Sequence, residues 1–229
     1  MQLKQSTLAD INELNQLANP LYPDLVAPPD EAKSEEEATG GSLSKVKQLL
    51  HEELGGLHGR YLFARLLLVP LPNYTCNRVR VHLLRLFGFK GISSKAMMWG
   101  LPTITGTGNI YERLKIGAVS RFNIGCLLNL GADVTIGEHV AFGQQVTILT
   151  ETHEIGPASS RSGPLIAKPV KIGNGCWIGA HSTIFPGVTI GSGVIVGTNA
   201  VVTKDVPPNT LVAGVPARVV RKLLDEERQ

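Results

Sequence analysis

A six-residue beat runs from about Ile124 to Thr203 and constrains this chain more than any other feature. An aliphatic or aromatic residue followed by glycine recurs at Ile124-Gly125, Leu130-Gly131, Ile136-Gly137 and Phe142-Gly143. The beat stops near Ile148 and resumes at Ile172-Gly173, Ile178-Gly179, Ile184, Ile190-Gly191, Val196-Gly197 and Val202. Four residues past each anchor stands a small or branched side chain: Leu128, Val134, Val140, Val146, then Cys176, Ser182, Val188, Val194 and Ala200. An α-helix drifts off a strict period of six, and a strand alternating at period two has no use for a recurring glycine. A hexapeptide repeat reads as a parallel β-helix, each coil made of three short flat faces joined at corners. Glycine is expected at those corners because it turns with φ > 0 at no steric cost. Ile104, Ile110, Ile116 and Phe122 keep the same spacing with only one following glycine, after Ile116, which places less regular first coils there.

The break in the beat is a second signal. Between Ile148 and Ile172 the chain carries Pro157, Pro164 and Pro169 and no glycine-anchored hexapeptide. A long loop extruded from a compact coil is usually functional or disordered. This one carries His153, so the expected molecule is a rigid prism with one chemical arm. Imidazole titrates near neutrality and suits the removal of a hydroxyl proton, which makes His153 the candidate general base. Glu151 and Glu154 stand close enough in sequence to orient it.

The remaining composition excludes more than it identifies. A formal net charge of +3, with no dense Lys/Arg run, gives no reason to expect nucleic acid as a partner. Cys76, Cys126 and Cys176 form no CxxC pair, and their odd number argues against a disulfide framework, so a reducing, cytoplasmic setting is expected. The opening MQLKQSTLADINEL has neither the basic start nor the apolar run of a secretory signal. No apolar stretch reaches the roughly 18 residues of a membrane span.

Ahead of the repeat, residues 1–43 are polar and acidic and read as a flexible tail. SLSKVKQLLHEELGG, YLFARLLLVPLP and NYTCNRVRVHLLRLFGF then read as helical segments over 44–91. In the last of these, Val79, Leu83, Leu86 and Phe87 form the expected apolar side, with Arg78, His82 and Arg85 opposite. From Arg60 to Lys90 there are six basic residues and no acid. Two readings stand side by side. A helical cap would cover the open end of the prism, with its arginines paired to β-helix carboxylates. A basic amphipathic surface would instead touch anionic lipid or a lipid-linked glycan. The β-helix is expected over 92–212 with an inserted loop at 149–169. A C-terminal closure with a short charged helix is expected over 213–229.

From NIGC at 123–126 through VTIGEHV at 134–140, TILTETH at 147–153, KPVKIGNGCWIGA at 168–180 and FPGVTIGSGVIVGTNAVVTKDVPPNTLVAGVPARVVR at 185–221, the chain resembles the hexapeptide-repeat acyltransferases. Within them it is most similar to the maltose and galactoside O-acetyltransferases. The resemblance covers roughly residues 104–221 and is specific for the family, much less so for the acceptor. It implies a left-handed parallel β-helix, a homotrimer, and acetyl-CoA held between neighbouring subunits with no metal. It places His153 at the catalytic position and Asn123 close to the reacting groups, where an amide orients a hydroxyl or donates to an oxyanion. Trp177, five residues past Ile172 and expected to point outward, corresponds to a tryptophan beside the CoA. Gly179 and Ala180 are small enough to let a pantetheine arm lie against backbone, and Thr198, Thr203, Lys204 and Arg218 match positions near the nucleotide. The first 90 residues depart from the sugar-binding start of those enzymes and look more like enzymes that acetylate surface-polysaccharide precursors. The acceptor therefore stays open between a sugar or glycan-precursor hydroxyl and an amine or antibiotic, and a non-catalytic scaffold is the further alternative. A thiol nucleophile is not expected, because Cys176 occupies a packing position and Cys126 has no assigned base. A zinc site built on His139, His153 and His181 is not expected either, since the paired histidines of such a site are missing.

Overall fold

A computed structural model of the chain describes residues 54–223. The tail expected over 1–43, most of the helix expected from Ser44 and the last six residues of the expected C-terminal helix lie outside them. The described residues fall into two compact units, one of residues 153–165 and one of residues 54–152 with 166–223.

The larger unit is a parallel β-helix with three faces. The first face stacks β1 (Met97–Met98), β4 (Arg121–Phe122), β7 (Ala141–Phe142), β12 (Trp177–Ile178), β15 (Ile195–Val196), β17 (Thr210–Ala213) and β18 (Arg218–Lys222). The second stacks β2 (Thr103–Thr105), β5 (Leu127–Asn129), β8 (Thr147–Ile148), β13 (Thr183–Ile184) and β16 (Val201–Val202). The third stacks β3 (Leu114–Ile116), β6 (Val134–Ile136), β11 (Val170–Ile172) and β14 (Thr189–Ile190). Register turns the repeat into three buried columns. Met98, Phe122, Phe142, Ile178, Val196 and Val212 align on the first face. Ile104, Leu128, Ile148, Ile184 and Val202 align on the second, and Ile116, Ile136, Ile172 and Ile190 on the third. Each coil buries one anchor per face, so the core is the stack itself.

Two details differ from the expected repeat. The spacing pointed to anchors at Ile124 and Leu130, but the columns run through Phe122 and Leu128, and Ile124 is only half-buried. The early frame of Ile116 and Phe122 therefore continues to Leu128, and two extra residues enter before Ile136. This frame also makes Cys126 the fourth residue past an anchor, the packing position that Cys176 holds in its own coil. The second difference concerns the glycines. Positive φ falls three residues past the anchor, at His139, Gln145, His181 and Asn199 as well as at Gly175. The glycine directly after the anchor serves close approach instead: a Cβ on Gly143 would stand 2.5 Å from Ala180 N, and one on Gly173 2.5 Å from Ser192 N. Backbone stacked on backbone leaves no room for a side chain there.

Among the described residues two helices precede the coils. α1 (Gly59–Leu68) ends ahead of Pro70, which has no N–H to continue it. α2 (Asn77–Leu86) closes in a Schellman motif, with Gly88 at φ 126°. There the Phe89 amide donates to Leu84 O and the Gly88 amide to Arg85 O, and Phe89 and Leu84 are both buried. The face of α2 that packs is not the expected apolar side. Val81, Leu84 and Arg80 are buried, whereas Val79 and Leu86 are exposed. Arg80 decides this rotation, because its guanidinium donates inward to Leu71 O (2.9 Å), Pro72 O (2.7 Å) and Thr75 O. Arg85 donates to Lys90 O and Ile92 O, and Arg60 lies over the Tyr111 ring at 4.1 Å. These arginines meet carbonyls and a ring where carboxylates were expected.

At the other end, residues 218–222 form β18, antiparallel to β17, where a charged helix was expected. Val219 and Val220 are β-branched, and β17 offers an unpaired edge, so strand pairing wins over a solvated helix. The inserted segment is not a structureless loop. It forms a ribbon of β9 (Glu151–Ile155) and β10 (Ser162–Ala167), closed by Gly156 N–H to Arg161 O and, at its root, by Lys168 N–H to Thr150 O.

Candidate active site

His153 lies on β9 with its side chain exposed, in the unit of residues 153–165. Its Nδ1 stands 2.7 Å from Gly163 O on the facing strand. A carbonyl oxygen only accepts, so in the neutral ring Nδ1 carries the proton and Nε2 the lone pair. The ribbon thus fixes the ring through a backbone carbonyl, and neither candidate glutamate does so. Glu151 is engaged elsewhere, accepting from Asn129 Nδ2. Gly163 lets the strands approach: a Cβ there would stand 2.8 Å from Glu154 O.

Asn123 belongs to the coil unit, directly after β4, at the corner between the first and second faces. Its Oδ1 accepts from Ile124 N–H at 2.9 Å and from the Tyr74 hydroxyl at 3.2 Å. With the oxygen doubly engaged, Nδ2 is the end left to donate.

The same corner recurs in each coil and gathers most of the other candidates. Gln145 N–H donates to Ile124 O, Gly143 N–H to Ile178 O, Gly179 N–H to Val196 O and Asn199 N–H to Ala180 O. Asn123, Gly179, Ala180 and Thr198 consequently lie along one edge of the prism. Successive coils are about 4.8 Å apart, so Asn123 and Thr198, three coils apart, are separated by about 14 Å along that edge. Trp177 stands beside the edge on the first face, 58 % exposed, between Ala141 and Ile195 in register. Small residues line this edge: Gly143, Ala180 and Gly197 are half-buried, and Gly179 is buried against the next coil. Arg218 is exposed on β18 of the same face. Thr203 and Lys204 do not join them, because they follow β16 at the corner between the second and third faces. Lys204 is exposed there, whereas Thr203 Oγ1 is enclosed with no hydrogen-bond partner, not offered to a ligand.

Neither buried thiol is placed for nucleophilic chemistry. Burial pushes the Cys126 thiol up to about 11, and burial likewise raises that of Cys176. Both are neutral near pH 7. His139 and His181 are accounted for as left-handed corner residues of separate coils.

Two residues at this edge were not singled out by the sequence. Tyr74 reaches Asn123 from the connection between α1 and α2, and Trp99 follows β1 directly above Asn123, its N–H donating to Phe122 O at 2.9 Å. Trp99 stands at the anchor-plus-one position, which the next coil fills with Asn123 and the three after it with Gly143, Gly179 and Gly197, and its bulk there is the one signal the repeat offered.

Comparison with known proteins bears on the repeat and its family. Residues 169–204 match the family model for the hexapeptide repeat of succinyl-transferase. Galactoside O-acetyltransferase of Escherichia coli K12 is 42 % identical over 95 residues, which are 42 % of this chain and 47 % of that one. The chain spans about half the length of the relatives it matches by sequence. By structure, a maltose O-acetyltransferase from Clostridium difficile 630 is 31 % identical with a TM-score of 0.62, over 78 % of this chain and 90 % of that one. A hexapeptide-repeat acetyltransferase of Vibrio cholerae O1 biovar eltor, solved with acetyl-coenzyme A, is 27 % identical with a TM-score of 0.60, over 81 % and 93 %. With a relative 31 % identical covered over 90 % of its length, the chain belongs to the hexapeptide-repeat acetyltransferases and is similar to the maltose and galactoside O-acetyltransferases.

Proposed function

We propose that this protein transfers an acetyl group from acetyl-CoA to a hydroxyl of a sugar or glycan precursor. The observation that carries this reading is His153, whose Nδ1 is committed to Gly163 O and whose Nε2 is free to take a proton. The acceptor oxygen attacks the thioester carbonyl carbon while its proton passes to Nε2. The carbon–sulfur bond then breaks, the CoA sulfur takes up the proton from the imidazolium, and no acyl-enzyme forms. Asn123 Nδ2 orients the acceptor or donates to the developing oxyanion. The pantetheine arm lies along Gly179 and Ala180 with Trp177 covering it, and Thr198 and Arg218 take the nucleotide end. Lys204, on another corner of the chain, serves a neighbouring groove, and the enclosed Thr203 hydroxyl takes no part. The test is thiol release from acetyl-CoA with a panel of sugars, amines and aminoglycosides. Release with hydroxyl acceptors supports the proposal, release with amines alone moves it to N-acetylation, and none above hydrolysis leaves a scaffold.

Assembly is the second part of the proposal. Trp177, Val219 and Val220 are exposed apolar side chains on the first face or its edge strand, and a three-sided coil suits three-fold packing. In the trimer, His153 and Trp177 of one groove come from different chains. Light scattering of active protein is expected to give three times the chain mass of 24.5 kDa; an active monomer contradicts the shared groove.

The third part concerns the helices. Leu62, Phe63 and Leu66 of α1, with Val69 just past its end, line an open apolar groove of about 940 Å³ with Arg65 at its side, and Leu86 of α2 is 76 % exposed. No Asp or Glu occurs from residue 54 to residue 111. Among the described residues no helix is long and apolar enough to cross a membrane. The surface fits peripheral contact with an anionic membrane or a lipid-linked glycan, each exposed cation contributing about 1 kcal/mol near such a leaflet. Co-sedimentation with anionic vesicles is expected at low salt and is expected to weaken at high salt. Its absence at low salt leaves α1 and α2 as a cap alone.

A further inference from the structure

We infer that Tyr74 and Trp99 form the platform on which the acceptor's pyranose ring lies, at the end of the edge that begins with Asn123. The inference rests on transfer to a sugar, proposed above, and names the part of the chain that holds it.

Four observations converge here. The Tyr74 and Trp99 rings lie 6.1 Å apart with an interplanar angle of 35°, and Tyr74 is 56 % exposed. An aromatic face is electron-rich and attracts the weakly positive C–H hydrogens on the flat side of a pyranose, which leaves the sugar hydroxyls free to hydrogen-bond. Second, the Tyr74 hydroxyl donates to Asn123 Oδ1, so this ring is tied to the amide proposed to meet the reacting oxygen. Third, Tyr74 sits at φ 63°, a left-handed conformation uncommon for a bulky residue, and its N–H donates to Trp99 O at 2.7 Å. The backbone is bent to bring the two rings together.

The fourth observation is Arg80. This side chain is 1 % exposed, and its two terminal guanidinium nitrogens donate to the carbonyls of Leu71, Pro72 and Thr75, with a longer bond of 3.4 Å to Met98 O, while Nε has no partner. A buried cation is costly unless well paired, and here its partners are the loop that carries Tyr74 and the strand that precedes Trp99. Arg80 is a positioning residue: it fixes the two halves of the platform against each other.

The test uses the full chain and two readouts. The chain has two tryptophans, so Trp177→Phe leaves Trp99 as the sole indole reporter. Titration of that variant with methyl pyranosides is expected to change Trp99 emission saturably, and addition of Tyr74→Ala is expected to weaken the apparent affinity roughly tenfold. In the wild-type background, Tyr74→Ala is expected to raise the acceptor KM by a similar factor while the acetyl-CoA KM stays put. Tyr74→Phe keeps the ring and loses the donor to Asn123, so it is expected to lower kcat about three- to tenfold with little change in acceptor KM. That split is one a merely structural role would not produce. An acceptor KM unchanged in a folded Tyr74→Ala variant, or no emission change with a sugar that the enzyme acetylates, overturns the platform. If the wild type acetylates no sugar, the function proposed above fails; the emission titration then decides the platform by itself, a saturable Tyr74-dependent change supporting it and a flat response overturning it.

Discussion

His153→Ala is expected to lower kcat by on the order of 10²–10⁴-fold while acetyl-CoA binding stays within about twofold of the parent. The size follows from what the ring does. A neutral hydroxyl is a poor nucleophile toward a thioester, and attack becomes fast only if its proton leaves as the bond forms. Nε2 is the one ring nitrogen able to take it, because the ribbon holds the Nδ1 proton on Gly163 O. Two other candidate groups are not placed to replace it. Glu151 accepts from Asn129, and the Cys126 thiol, pushed up to about 11 by burial, stays protonated at neutral pH. CoA binding is expected to survive because the residues proposed for it belong to the coil unit, whose fold does not use the imidazole. Steady-state kinetics with a responsive acceptor, together with CoA affinity by calorimetry, check both halves. Near-full turnover in the variant would remove His153 from the reaction.

The repeat made the fold legible, and its failures are local and physical. Periodicity located the three columns, yet it misplaced the first coil by two residues, because Ile124-Gly125 imitates an anchor while Phe122 fills the column. A corner glycine and a close-approach glycine look alike in sequence; only the stacking of Gly143 on Ala180 separates them. The orientation of α2 was out of reach for the same kind of reason. An amphipathic reading sends arginine to solvent, and nothing in NRVRVHLLRL shows that Arg80 has carbonyls waiting on a loop nine residues earlier. Residues 218–222 read as a helix from their charge and became a strand because a neighbouring edge was vacant. Of the candidate site, His153 was visible from the break in the repeat and Trp177 from its outward place in the spacing, whereas Asn123, Gly179, Ala180 and Thr198 were legible as site residues only through the resemblance to known acetyltransferases. Tyr74 was not, since it comes from a connection with no period, and its partnership with Asn123 is a purely three-dimensional fact.

Phe122→Ala is expected to destabilise the fold by about 3–5 kcal/mol. Phe122 is fully buried and stacks on Phe142, with ring centroids 4.4 Å apart and an interplanar angle of 13°. Above it lies Met98 and below Phe142 lies Ile178, all in one register-locked column. Removing the ring leaves a void that the coil has no freedom to collapse, because strand pairing on three faces fixes the distance between its walls. Coils contact only their neighbours, so the loss falls on two interfaces at once and is not spread through a larger core. For a chain of this size the melting temperature is expected to fall by on the order of 10 °C. Phe63→Ala supplies the contrast. That ring is 54 % exposed on α1 and its loss is expected to change stability by less than about 0.5 kcal/mol, although it lies in the surface proposed to meet lipid. Thermal unfolding of the two variants beside the parent measures the difference. Equal melting temperatures for Phe122→Ala and the parent would mean that the column of anchors does not hold the coils together, and the account of the repeat given above would fail with it.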